Sequence, residues 1–167
     1  GTENTAVGSR SLDANTTGSE NTAVGRGSLG KNTTGDANVA VGRNALEDNT
    51  TGSNNVAIGG DAMIDNTADA NTAVGRSALR VNTTGTQNVA VGANTLDANT
   101  TGYNNTSIGY NSLSTNITGI DNTAVGKSAL KENTANNNTA LGSDAMEKNT
   151  SGASNVAVGK NALKNNT

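Results

Sequence analysis

The feature that most constrains this chain is a short cassette that recurs from one end of the sequence to the other. Residues 35–52 read GDANVAVGRNALEDNTTG, and most of the remaining sequence repeats this cassette with small changes. Its first asparagine recurs in 17-residue steps, apart from two 16-residue steps that lie four units apart. A fixed short period of this kind is the signature of a solenoid, whose units bury their hydrophobic faces only by stacking.

We therefore predict an all-β fold, a parallel β-solenoid or β-roll of ten 17-residue coils, two of which are shortened to the 16-residue form. It forms one repeat domain over residues 1–167, and because the sequence begins and ends in mid-pattern we expect a segment of a longer fibrous protein. We number the positions of a coil as columns 1–17, from Gly1 to Thr17. Helix is disfavoured because every coil is rich in Gly, Asn and Thr.

The composition argues against several classes of partner. Hydrophobic residues make up 32% of the chain and aromatic residues 1%, which is too little to fill a compact core, so stability must come from repetition. The net charge is −3 with both signs interspersed, so we expect no binding to nucleic acid. No apolar run approaches the roughly 18 residues of a membrane span, so we expect no membrane insertion by this segment.

Three columns are uniform in all ten coils and form the predicted frame. Stacked Asn side chains donate to one neighbour and accept from the next, so we predict Asn ladders in columns 4 and 15. Gly in column 8, like the Gly of column 1 at the other corner, supplies a turn with positive φ or a close backbone approach. The frame includes Asn4, Asn21, Asn38 and Asn55 in column 4, Asn15, Asn32 and Asn49 in column 15, and Gly8, Gly25 and Gly42 in column 8.

Column 15 has a second interpretation, because most of its asparagines stand in N-x-[ST] sequons for glycosylation. The ladder explains both Asn columns, whereas glycosylation explains only column 15, since the usual column 4 pattern Asn4-Thr5-Ala6 is not a sequon. We favour the ladder and leave glycosylation open. The sequon residues are Asn15, Asn32, Asn49, Asn82, Asn99, Asn116 and Asn149.

Columns 4–7 are predicted to form a short strand in which columns 5 and 7 share a face. Column 7 holds only Val, Ile and Leu, and column 12 only Leu and Met, so we predict that these two columns form the core. The Ala of column 6 then points away from the core and allows close approach of another copy. Burial of two large aliphatic side chains per coil offsets only part of the entropy lost when the coil is ordered. We therefore expect a homo-oligomer.

The residues that most catalysis needs are missing. The chain has no His and no Cys, which removes the usual triads and most transition-metal sites. Residues 25–30 match G-x-G-x-x-G and residues 121–128 approach a P-loop, but both are ordinary copies of the coil and neither opens a helix. We predict that the chain is not an enzyme and has no catalytic residue, no metal site and no cofactor.

Departures from the pattern mark a candidate contact patch. Tyr103 and Tyr110 are the only aromatic residues, and Ile120 lies one coil above Tyr103 in the same column. Clustered exposed apolar side chains mark contact sites. Sequence drift in a redundant array is the alternative explanation.

Two segments carry a resemblance to a known family. Residues 38–42 read NVAVG and residues 55–59 read NVAIG, and each is followed by two variable residues and a small one, Ala45 or Ala62. The pattern resembles the head repeats of YadA-like trimeric autotransporter adhesins, with similar cassettes in bacterial surface fibres and phage tail-fibre-like proteins. The resemblance implies a left-handed parallel β-roll, three chains packed along a common axis, and heads that bind host or matrix surfaces. The Leu-x-x-Asn-Thr-Thr half makes this coil longer than the usual head repeat.

We therefore expect a non-enzymatic fibre or adhesin-head segment, extracellular on the surface of a cell or phage, that self-associates and attaches to a surface or matrix ligand. Ten coils at about 4.8 Å give a rod of about 48 Å. The alternative is an ice-binding β-solenoid that uses the Thr of columns 5 and 16. Both columns also admit apolar residues, such as Ile117, so we expect them to be buried.

Overall fold

The structure, a computed structural model, describes residues 1–166 and contains one short strand in each coil. All ten strands pair parallel, in chain order, in a single sheet. None of residues 1–166 is helical, and no helix there meets the requirements of a membrane span. The predicted parallel β-solenoid is confirmed. The strands are β1 (Thr5–Val7), β2 (Thr22–Val24), β3 (Val39–Val41), β4 (Val56–Ile58), β5 (Thr72–Val74), β6 (Val89–Val91), β7 (Thr106–Ile108), β8 (Thr123–Val125), β9 (Thr139–Leu141) and β10 (Val156–Val158).

The register of the sheet follows the repeat of the sequence column by column. Ala23 of β2 pairs with Ala40 of β3, and the same column pairs with itself at every step. The two 16-residue steps keep this register, as the pairing of Ala57 with Ala73 shows, because the missing residue belongs to the corner at column 1 and not to the strand. Shortening the repeat therefore tightens one corner without shifting any side chain to the other face of the sheet.

The core lies between the strand and the turns that follow it. Column 12 is buried as predicted: Leu46, Met63 and their equivalents from coil 2 to coil 9 are fully buried. The second core column is column 6, whose Ala residues are also buried, for example Ala40 at 0% exposure. The small residues of column 11, such as Ala45, complete the apolar interior.

The prediction that column 7 belongs to the core and that column 6 faces outward is wrong. Ile58 and Leu141 of column 7 are 40% and 47% exposed, while the Ala beside them in each strand is buried. A strand of three residues has one inward position, and here the inward side chain meets the Leu of column 12 across a narrow coil. The space admits a methyl group on the strand side, so the larger side chains of columns 5 and 7 point out.

Left-handed backbone conformations make the tight turns of the coil. Columns 3, 10 and 12 have φ values near +50° to +60° at residues other than Gly, such as Asn44 at 55° and Leu46 at 52°. This conformation costs an L-residue roughly 1–2 kcal/mol. It is retained at Leu46 because the turn directs that side chain into the core, and the Leu46 N–H donates to the Ala62 carbonyl of the next coil at 3.0 Å.

The two Gly columns are required for different reasons. Column 8 combines positive φ with close stacking: Gly25 has φ 132°, and a Cβ there would lie 2.5 Å from the Gly42 oxygen. Column 1 has no positive φ, but a Cβ at Gly35 would lie 2.3 Å from the Gly52 oxygen. Gly8, Gly25 and Gly42 are therefore structural residues, as predicted from the sequence.

Candidate interaction surface

The outer face of the sheet is a continuous uncharged surface, which we call the strand face. It consists of the column 5 and column 7 side chains of β1 to β10, and every one of them is Thr, Val, Ile or Leu. In the inner coils column 5 is half-buried, and column 7 ranges from half-buried to exposed. At the two ends exposure rises, to 57% at Val7 and 67% at Val158, because no further coil covers them.

The geometry of the strand face follows from the parallel register. Adjacent strands lie about 4.8 Å apart, so the nine steps between ten strands give a strip about 43 Å long. Columns 5 and 7 are two residues apart along each strand, about 6.6 Å. The side chains therefore form a regular two-column lattice. Column 7 is aliphatic in every coil and column 5 is Thr or Val, and a continuous, largely apolar strip of this kind is typical of a contact surface.

The predicted Asn ladders are present in the interior. In column 15 the Asn32 Nδ2 donates to the Asn15 Oδ1 and the Asn49 Nδ2 donates to the Asn32 Oδ1, both at 3.0 Å. Column 4 bonds through the backbone instead: the Asn38 N–H donates to the Asn21 Oδ1 at 3.0 Å. Because these amides are buried and each links two coils, they resist bending and sliding between coils.

The burial of column 15 decides between its two interpretations. The sequon residues from Asn32 to Asn149 are fully buried, and Asn15 at the end of the stack is half-buried. Their Nδ2 atoms, to which a glycan would be attached, donate to the neighbouring amide or to a column 1 carbonyl, as Asn99 does to Asn82 and Gly102. A glycan on these nitrogens would break the ladder, so the structure favours the ladder.

The ladder of column 15 changes at the two tight corners. At the first, the Asn66 Nδ2 donates to the nearby Ala68 carbonyl at 2.8 Å, and the Oδ1 of Asn49 below it has no partner within the protein. At the second, the Asn133 Nδ2 reaches the Asn116 Oδ1 only at 3.4 Å. In the other coils the same nitrogen bonds both to the column 1 Gly carbonyl and to the amide of the coil before it, as that of Asn32 does. Where column 1 is missing, the column 17 Ala carbonyl takes the place of the Gly carbonyl, and the bond between coils is lost or lengthened.

The candidate contact patch is divided by the strand. Tyr103 lies in column 2 before β7, and Tyr110 lies in column 9 after it; they are 43% and 51% exposed. The Asp121 N–H donates to the Tyr103 carbonyl at 3.2 Å, which places Ile120 in the next coil beside Tyr103. Tyr103 and Ile120 are therefore neighbours, and Tyr110 borders the strand face from its other end. Whether they bind a partner stays a prediction.

The Thr columns are more exposed than the sequence suggested. Column 16 is mostly exposed, Ile117 included, and column 5 is half-buried on the outer face, so the expectation that both are buried is wrong. The column 16 hydroxyls are used within the chain: the Thr33 Oγ1 donates to the Thr50 carbonyl at 2.9 Å. Column 5 hydroxyls have no such inter-coil bonds among residues 1–166.

All Lys and Arg and most Asp and Glu lie on the turn side of the coil, in columns 9, 10, 13 and 14, and the remaining acidic residues lie in columns 2 and 3. Ion pairs link adjacent coils on the turn side, such as Lys31 with Asp48 at 2.8 Å and Lys164 with Glu147 at 3.0 Å. The hydrogen bond from the Lys31 ammonium to the Asp48 carboxylate raises the pKa of Lys31. Because solvent screens exposed pairs of this kind, they contribute little to stability. Within residues 1–166 no cluster of three or more acidic side chains has the geometry to hold a metal ion.

Comparisons with protein-family models, curated proteins and solved structures found nothing that matches the chain.

Proposed function

We propose that this chain is a non-enzymatic structural fibre or adhesin-head segment on the surface of a cell or phage, which projects a rigid rod and mediates attachment. The observation that carries the proposal is the strand face, an uncharged strip of Thr and aliphatic side chains along the described coils. The resemblance of residues 38–42 to YadA-like head repeats supports the same conclusion.

The interior supports the part of the proposal that concerns the rod. Each coil bonds to its neighbours through the sheet and through the turns, as the Asn44 N–H does to the Arg26 carbonyl at 2.9 Å. The Asn columns add further bonds between coils, except in column 15 at the first tight corner. Bonds repeated in every coil make a stack whose stability rises with each added unit. Such a stack is suited to holding a binding surface away from its anchor.

The strand face supports self-association. Its side chains are larger than the Ala residues behind them, so much of the apolar surface of the strand side lies outside the single chain. Copies that pack with their strand faces together bury that surface without unpaired charges. We propose a parallel homotrimer around a common axis, with three as the number that the resemblance favours. The surface involved is columns 5 and 7, not the column 6 Ala surface expected from the sequence.

Light scattering coupled to size-exclusion chromatography tests this assembly. The parent chain is expected at three times the 16.5 kDa of one copy. A double variant of the strand face, Val74→Lys with Val91→Lys, is expected to be monomeric because it places six charges in a desolvated interface. The matched control, Thr84→Lys with Thr101→Lys, adds the same charges to exposed column 17 positions of the same coils and is expected to stay trimeric. A parent chain that is monomeric at high concentration contradicts self-association.

Ice binding is a second candidate, which one observation favours. The column 5 Thr residues, such as Thr72 and Thr106, face outward in a regular lattice with β-branched neighbours in column 7. A thermal-hysteresis measurement distinguishes the two functions: we expect no activity, because trimerisation covers this face. Hysteresis at micromolar protein that the Val74→Lys and Val91→Lys substitutions abolish would reverse the ranking.

A further inference from the structure

The charged residues at the two ends of the strand face are separated by sign. Columns 2 and 3, which precede each strand and which we call the acidic border, contain no Lys or Arg; their acidic residues are Glu3, Glu20, Asp36, Asp69 and Asp121. Column 9, which follows each strand after the Gly of column 8 and which we call the basic border, contains no Asp or Glu; its basic residues are Arg26, Arg43, Arg76, Lys127 and Lys160. All of these charged side chains are exposed.

The two borders carry their charges in the same coils. Coils 2, 3, 5 and 8 have an acidic residue on one border and a basic residue on the other, as Glu20 and Arg26 of coil 2 do. Coils 4, 6, 7 and 9 have a charge on neither border. Only the two end coils have one without the other, at Glu3 of coil 1 and Lys160 of coil 10. In the inner coils an acidic residue before the strand is therefore always matched by a basic residue after it.

Pairing within one chain does not explain this match. The strand lies between the two charges of a coil, and its three residues alone span about 10 Å. Within residues 1–166 no ion pair joins the two borders, and Arg43 alone among the border residues has an ion pair there, with Asp61 of the turn side. Asp36 accepts a hydrogen bond from the Ser19 N–H at 2.7 Å, but a carboxylate has room for further donors. The border charges are thus available to another molecule.

A second copy of the chain in parallel orientation presents the opposite border. When copies turn their strand faces toward a common axis along the stack, all strands run in the same sense around that axis. The acidic border of one copy then lies beside the basic border of the next, whether two or three copies surround the axis. A two-fold axis along the strands makes the stacks antiparallel and brings acidic to acidic and basic to basic. Repulsion between like charges disfavours that arrangement.

The distribution of the charges also selects one register between copies. With the copies level, so that each coil lies beside the same coil of the next copy, four acidic residues of each copy meet a basic residue of its neighbour. No other register pairs more than three, and a slip of one coil pairs at most two. The strand face itself offers nearly the same Thr and aliphatic surface after such a slip, so the borders and not the apolar columns distinguish the registers.

We propose that the acidic and basic borders form ion pairs between neighbouring copies of this chain and so fix the parallel, level register of the oligomer. The proposal rests on the proposed self-association of the strand face: the apolar columns supply most of the affinity, and the charges at the edge of the interface supply orientation and register. The pairs, each between two copies, are Glu20 with Arg26, Asp36 with Arg43, Asp69 with Arg76, and Asp121 with Lys127.

Reversal of the borders, with light scattering over a dilution series, tests the proposal. The acid-reversed variant, Glu20→Lys with Asp121→Lys, and the base-reversed variant, Arg26→Glu with Lys127→Glu, each turn two of the four pairs into repulsions. In each, the chain concentration at which half of the chains are assembled should rise at least about tenfold. The fourfold variant, which carries all of these substitutions, restores attraction and should return to within about threefold of the parent.

Net charge alone predicts the opposite result for the acid-reversed variant. Each of its two substitutions adds two charges, so the net charge changes from −3 to +1 and general repulsion between copies decreases. The control Asp65→Lys with Glu132→Lys makes the same change in column 14 of the turn side and should assemble as the parent does. In about 1 M sodium chloride, which screens charges beyond about 3 Å, the acid-reversed variant and the parent should assemble alike. That result also shows that the variant is folded.

Cysteine cross-linking measures the register directly, because the chain has no Cys of its own. Asn54→Cys with Gly60→Cys places thiols on the two uncharged borders of coil 4, and a Cβ at Gly60 meets no atom within 4 Å. A short bis-maleimide should join this variant into dimers and trimers on a denaturing gel. In the control, Asn54→Cys with Ser143→Cys, the thiols lie five coils apart, about 24 Å, and only monomers are expected.

Failure of the borders and failure of the strand face give different results. A parent chain that stays monomeric at high concentration overturns both proposals. An oligomer that assembles equally well in both reversed variants keeps the strand face and overturns the borders. The same conclusion follows if the fourfold variant stays weakened, or if the acid-reversed variant stays weakened in sodium chloride. Equal cross-linking of the matched and control cysteine pairs overturns the level register.

Discussion

The strand side and the turn side of each coil distribute their apolar side chains in opposite ways. On the turn side the largest side chain is inside, as Leu96 is at 0% exposure, and charged residues lie outside. On the strand side the smallest is inside, as Ala90 is, and Val89 and Val91 lie outside. The turn side is therefore complete as it stands, whereas the strand side leaves apolar surface that only a second molecule can bury. Burial within one chain explains the first pattern but not the second.

The largest effect expected from this contrast is at the buried column of the turn side. Leu96→Ala should lower the free energy of unfolding by about 2–5 kcal/mol, because the coil cannot collapse around the lost side chain. Ile108→Ala, on the strand face and 39% exposed, should cost clearly less when measured in the monomeric Val74→Lys and Val91→Lys background. Urea unfolding followed by circular dichroism gives both values. Equal losses in that background would contradict the contrast between the two sides.

The buried column of the strand side should instead fail by overpacking. Ala90→Leu adds three carbon atoms where Ala90 stacks between Ala73 and Ser107, and should cost about 1–3 kcal/mol. In the same strand, Val91 faces outward, and Val91→Leu should change stability by about 0.5 kcal/mol or less. If Ala90→Leu is tolerated as well as Val91→Leu, the strand side is not as narrow as the structure indicates.

The contrast between the sides also explains which features of the fold were predictable. The repeat determines the number of coils, the strand position and the register, because each column stacks on itself. The Asn ladders and the Leu column were predictable because a uniform polar or large apolar column has few other uses. The two-residue period of a strand shows that columns 5 and 7 share a face, but not which face is inside.

Residue size suggested the wrong answer for that face. Val and Ile gain more from burial than Ala does, so Val41 was predicted inside and Ala40 outside. The width of the coil determines which side chain of the strand fits inside. That width depends on how far the column 12 Leu extends across the coil, and the residues of a single column do not show this.

A smaller effect is expected where one serine replaces the alanine of the strand side. The hydroxyl of Ser107 is buried with those of Thr95 and Ser112, with oxygen separations of 2.6 Å to each. Ser107→Ala should cost no more than about 1 kcal/mol, because Thr95 and Ser112 stay bonded to each other at 2.8 Å. Ala140→Ser, in a coil whose column 11 residue is Ala145, lacks such partners and should cost about 1–3 kcal/mol. Thermal and urea unfolding of both variants give the two changes in stability. They test whether column 6 accepts a hydroxyl only where neighbouring hydroxyl groups bond to it, or in any coil.

The smallest effect concerns a turn-side carboxyl, that of Asp97, whose pKa is raised. Burial raises the pKa of Asp97, opposed by the nearby Arg80 guanidinium. Since the folded pKa lies above the unfolded one, the ionised carboxylate costs stability once the pH rises through the folded value, and the cost vanishes below the usual range near 3.9. Asp97→Asn should therefore raise stability at pH 7 by about 0.5 kcal/mol or less, as is typical of surface changes, and the gain should disappear near pH 3. Urea unfolding at the two pH values measures the gain. An equal gain in stability at both pH values would show that packing, and not charge, makes Asn the more stable residue at this position. It would also weaken the view that the turn side is complete without a partner.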